Sequence, residues 1–82
     1  MVNIEKSGES VQFLFRKHTM AMGHAVTYLF FKCNDAQTAW AFLEYNPVKK
    51  PLYYLIVETS DGVFGRDTEG IYQIGNITNC QR

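Results

Sequence analysis

Two histidines and two methionines alternate with other residues in His18-Thr19-Met20-Ala21-Met22-Gly23-His24. In an extended segment His18, Met20, Met22 and His24 project to one side, because side chains two residues apart share a face. Imidazole with thioether is a donor mixture that suits Cu(I). The plainer reading is a connection between two strands in which Met and Ala fill gaps, and a bend at Gly23 would scatter the four. Cys33 or Cys80 could complete such a site, but the spacing gives no support for it, and zinc-type patterns are absent.

A second constellation is acidic. Glu58, Asp61, Asp67 and Glu69 lie within twelve positions, a set that could do acid–base chemistry or hold a divalent ion. The same stretch is rich in Ser, Thr, Asp and Gly, which populate turns for backbone reasons, and the calcium-loop spacing is not met. Turn chemistry is the stronger reading, with Arg66 beside Asp67 and Glu69 as a surface ion pair. Nucleophilic catalysis has no motif to rest on, since neither GxSxG nor a Cys–His signature occurs. The glycines are scattered, without a phosphate-binding fingerprint. Arg16-Lys17-His18 and Lys49-Lys50 are the basic clusters, and no RNA-binding signature accompanies them. These patterns give no cofactor to expect and no basis for assigning an enzyme.

Composition narrows the field further. The chain of 82 residues balances 8 basic against 8 acidic side chains, which argues against a nucleic-acid partner. Its 46% hydrophobic content is too high for a disordered chain, so one small domain spanning residues 1–82 is expected. Two cysteines are too few for a disulfide framework, and two free thiols are the simpler reading. The N-terminus has no signal-type apolar core, and no apolar run reaches the roughly 18 residues of a membrane span. A cytoplasmic protein is the resulting expectation.

The elements that must position these residues follow from periodicity. A helix is predicted over 35–45, with Asn34 as N-cap and Gln37 completing a capping box. Ala36, Ala39, Trp40 and Leu43 fall on one face, widened by Phe42. Asn46 suits a left-handed C-terminal position, and Pro47 stops the helix. Strands are predicted over 11–16, 24–32, 52–59, 63–66 and 71–74, rich in β-branched and aromatic residues. The first competes with a helix, since Val11, Leu14, Phe15, His18 and Met22 also match a helical stripe, and its alternation favours the strand. Asp61-Gly62 reads as the centre of a two-residue hairpin turn, and a further turn falls at 67–70. The resulting fold is an α+β domain, order ββαβββ, with one helix on a mostly antiparallel sheet.

The two strongest strands lack the alternation of a sheet with one wet face. Tyr53, Leu55 and Val57 alternate with Leu52, Tyr54 and Ile56; Val26, Tyr28 and Phe30 alternate with Ala25, Thr27, Leu29 and Phe31. Both faces ask for cover, and one helix covers one. A folded-over N-terminal segment, a curled sheet or a second copy of the chain would supply the rest. The expected function is binding, through an aromatic sheet face drawn from Tyr28, Tyr53, Tyr54 and Tyr72, with a homodimer as the leading assembly and another protein as a further partner. Parity allows only one of Tyr53 and Tyr54 on that face. The alternative is a pocket for a small apolar ligand, oriented by Arg66 or Glu58.

Overall fold

The computed structural model describes residues 10–75. Strands β1 (Val11–Ala21) and β2 (His24–Cys33) precede helix α1 (Ala36–Tyr45), and β3 (Tyr53–Thr59), β4 (Gly62–Asp67) and β5 (Gly70–Gly75) follow it. The order is the expected ββαβββ. The five strands form one sheet in chain order, β1-β2-β3-β4-β5. Each neighbouring pair is antiparallel except β2 and β3, which run parallel. The exception follows from connection length: a two-residue loop can only reverse a strand, whereas a helix can carry the chain back to start a parallel one.

One face of the sheet packs on α1. Val11, Leu29, Phe31, Cys33, Leu55, Val57 and Phe64 meet Ala39 and Leu43 in a single buried cluster. Phe31 holds three elements together, with its ring 5.5 Å from Phe13 on β1 and 4.8 Å from Phe42 on α1. Burial also pushes the Cys33 thiol above its usual range. Trp40 lies at the margin of this layer rather than inside it. Its ring meets Phe64 edge-on at 6.1 Å while remaining 39% exposed. Cys80 falls outside the described residues.

The helix is capped one residue later than expected. Asp35, not Asn34, is the N-cap; its carboxylate accepts from the Thr38 amide at 2.8 Å, leaving Gln37 without the capping-box role. Asp61, arriving from the β3–β4 turn, accepts from the Ala36 amide at 3.0 Å. Asn34 instead offers its carbonyl to the Ser60 hydroxyl at 2.7 Å. Two of the helix's open amides are thus closed by carboxylates, one local and one distant. At the other end Asn46 is not left-handed, with φ −127°; its side-chain amide donates to the Phe42 carbonyl at 2.8 Å.

The cap implies a pH dependence. The hydrogen bonds from Thr38 hold the Asp35 carboxyl below the ordinary aspartate range. A depressed folded-state pKa contributes stability above the unfolded value of about 3.9, lost as pH falls through the folded one. Asp35→Asn is therefore expected to flatten the loss of melting temperature below about pH 4. Thermal unfolding from pH 7 down to pH 2, compared with the parent chain, checks it.

The turns differ from expectation in one residue. Thr59 pairs with Gly62, so Ser60 and Asp61 are the central pair of the β3–β4 turn, not Asp61-Gly62. The Thr59 hydroxyl accepts from the Asp61 amide at 2.9 Å, and Gly62 supplies φ +142° just past the turn. The β4–β5 turn repeats this device. Asp67 accepts from the Glu69 amide at 2.8 Å, and Gly70 follows with φ +143°. The geometry expected of Asp61-Gly62, positive φ at both central residues, occurs instead at Met22 (53°) and Gly23 (82°). Leu52 is also left-handed, at φ 62°, so β3 begins at Tyr53 rather than at Leu52.

Candidate functional site

The sheet face turned away from α1 carries the side chains that sequence parity left unassigned. Where four or five strands run side by side its residues form three rows, given by the register, and Thr19 with the buried Val26 extends the face along the β1–β2 hairpin. In the first row Lys17 is opposite Tyr28, Tyr28 opposite Tyr54, and one step past the Leu55–Arg66 pair comes Asp67. The second row is Phe15, Phe30, Ile56, Gly65 and Tyr72. The third is Gln12, Lys32, Glu58, Val63 and Gly75. A β-bulge between Phe13 and Phe15 is what makes this grid, because it shifts β1 by one residue and turns Phe15 onto the face of Phe30.

The aromatic residues of the first two rows touch. Phe15 stacks on Phe30 at 4.7 Å with 16° between ring planes, and Tyr28 on Tyr54 at 5.2 Å with 23°. Tyr28 also reaches Phe30 at 6.1 Å. These spacings match the distance between strands, roughly 4.8 Å. The rings therefore lean on one another across the sheet and turn their edges outward. Tyr72 does something different. A Cβ on Gly65 would lie 2.9 Å from the Tyr72 ring and 3.1 Å from Ile74, so the missing side chain lets the ring rest across β4. Burial, then the charge of Asp67 and the neighbouring Tyr54 and Tyr28, raise the Tyr72 phenol above its ordinary pKa.

The parity question over the paired tyrosines has a definite answer. Tyr54 joins Tyr28 and Tyr72 on the open face. Tyr53 lies on the α1 side, packed against the buried cluster, with the Lys50 ammonium 5.8 Å from its ring centre. Glu58 is on the open face, opposite Lys32. Arg66 is not: its guanidinium donates to the Leu43 carbonyl of α1, so it ties β4 to the helix instead of forming a surface ion pair with Asp67 or Glu69.

The other constellations come apart. Asp61 sits just before β4 and Asp67 is its last residue, one bonded to the start of α1 and the other to its own turn. In the β1–β2 hairpin His18 pairs with Thr27 and Met20 with Ala25, which places both on the α1 side. His24, opposite Ala21, falls on the other side, and Met22 stands at the tip, 97% exposed. His18 Nδ1 is 3.1 Å from the Thr27 hydroxyl. Among the described residues no three His, Cys, Asp or Glu side chains converge on a metal-sized site, and no helix is long and apolar enough to cross a membrane. A shallow depression lined by Ala36, Gln37, Trp40, Ala41 and Glu44 lies on the outer side of α1, away from the tyrosines.

No family model matches the chain, and neither characterised proteins nor solved structures give a significant match. What the described residues form is a helix-backed sheet whose second, aromatic face is covered by no described helix or strand, with Val26 and Val63 on it buried and its rings half-buried to exposed.

Proposed function

We propose that this protein acts by binding, and that its aromatic sheet face is an interface whose first occupant is a second copy of the chain. The observation that carries the reading is the continuous row of Phe15, Phe30, Ile56 and Tyr72 beside the stacked Tyr28 and Tyr54, on a sheet whose only described helix covers the opposite side. Phe15 is 51% exposed and Ile74 47%, a substantial apolar surface for so small a protein. Ring edges with tyrosine hydroxyls suit a protein partner, which offers both apolar contact and hydrogen-bond groups. Stacking of nucleic-acid bases asks for free flat ring sides; the two stacked pairs each use one flat side of both rings, and the balance of 8 basic and 8 acidic side chains lacks the basic excess of a nucleic-acid binder.

Scale sets the strength. Four to five strands by three rows give a footprint of roughly 19–24 by 20 Å, so two copies bury on the order of 800–1,000 Å² together. That is the lower bound of specific interfaces, and a micromolar dissociation constant is expected. Sedimentation velocity from about 1 to about 300 µM spans that range. A monomer–dimer transition within it supports the reading. A monomer throughout overturns it.

A further inference from the structure

Among the described residues the open face carries four charges, and their positions on the grid restrict how two copies can meet. Lys17 lies on β1 in the tyrosine row, with Asp67 three strands away on β4. Lys32 on β2 and Glu58 on β3 are neighbours in the third row. Lys17, Lys32 and Glu58 are exposed, and Asp67 is half-buried.

Two sheets stacked face to face in the aligned manner about a two-fold axis can place that axis along the strands or across them. Set along the strands, the axis keeps each row on the same row of the other copy and exchanges strands. An axis through β3 puts Glu58 on Glu58 and leaves Lys32 on Val63. An axis through β2 puts Lys32 on Lys32. Moved between β3 and β4, it leaves Lys32 and Glu58 without an opposite charge. An axis across the strands, through the Phe15–Tyr72 row, sets Lys17 on Gln12, Lys32 on Tyr28 and Glu58 on Tyr54. One placement matches all four charges: along the strands, between β2 and β3.

We propose that two copies of the chain associate face to face about a two-fold axis parallel to the strands and passing between β2 and β3, with Lys17 of each copy against Asp67 of the other and Lys32 against Glu58. The proposal rests on the self-association reading and gives it a geometry. The same axis lays Tyr28 on Tyr54 and Phe30 on Ile56. It sets Phe15 over Gly65, where the Tyr72 ring lies, and β5 then overhangs at the rim. Such an interface is isologous: every contact occurs twice, and the pattern is complementary to itself. The two sheets pack aligned, with strands some 30° apart, and the long lysine stems span the offset this leaves at the corners.

Charge reversal tests the axis. K17D sets two carboxylates against each other at both ends of the dimer, and D67K sets two lysines. Each is expected to weaken the homodimer at least tenfold, since like charges across an interface are strongly unfavourable. Mixed, the two variants regain two attractive pairs, and native mass spectrometry is expected to show the heterodimer dominating both homodimers. Because Asp67 also accepts from the Glu69 amide in its turn, the pair K32E and E58K gives the same readout without touching a turn. Homodimers unaffected by all four reversals, in a protein that does dimerise, overturn the axis and leave the self-association reading intact. A parent chain that is monomeric throughout overturns both.

Discussion

Phe31→Ala is expected to destabilise the monomer by about 3–5 kcal/mol, the usual cost of removing a buried phenyl ring and leaving its cavity. Phe31 is 1% exposed and its ring meets Phe13 and Phe42, so the loss falls where β1, β2 and α1 join. A domain of this length has roughly 4–12 kcal/mol of total stability, and the variant is expected to lose a large part of it. Phe30→Ala, one residue away, is the informative comparison. Its ring is on the open face, half-buried by Phe15 and Tyr28. Its removal is expected to cost the monomer less than about 2 kcal/mol while weakening the proposed dimer. Urea unfolding of both variants at low protein concentration separates the effects. Equal losses would mean that both faces of β2 belong to one monomeric core.

That contrast also marks how far the chain could be read unaided. Element order, the helix and its stop at Pro47 are local properties, written in periodicity and turn residues, and they were legible. So was the excess of apolar residues on β2 and β3, because it needs only counting along alternate positions. The cap was misplaced from Asp35 to Asn34 because both are good capping residues, and the choice depends on Asp61 arriving from another turn. The β3–β4 turn was displaced for a related reason: the Thr59 hydroxyl, not the Asp-Gly pair, organises it. Strand order, the parallel β2–β3 pair and the bulge that turns Phe15 outward are relations between distant segments, without a local signature. The rows of the candidate interface depend on all three. Arg66 shows the same limit, since its bond to Leu43 crosses 23 positions, and its neighbours Asp67 and Glu69 offered a nearer but mistaken partner.

Tyr54→Asp is expected to abolish dimerisation at concentrations where the parent chain is dimeric, a loss in affinity of at least roughly 100-fold. Tyr54 stands near the centre of the grid, stacked on Tyr28, and on the proposed axis it lies within half a strand spacing of the two-fold. The substitution removes an aromatic anchor and brings two carboxylates close together across the interface, without partners once water is excluded. In the monomer the new carboxylate faces solvent, so the melting temperature of the dilute protein is expected to fall by only a few degrees. Tyr53→Asp inverts this pattern. Tyr53 packs on the buried cluster, and a carboxylate there must be desolvated beside Leu55 and α1 or pull the strand away from them. A clear fall in melting temperature is expected, with the affinity of the folded fraction little changed. Two adjacent tyrosines, given the same substitution, thus separate the fold from the interface. If Tyr53→Asp dissociated the dimer while leaving stability intact, the functional face would be the one carrying α1, and the reading would have to be reversed.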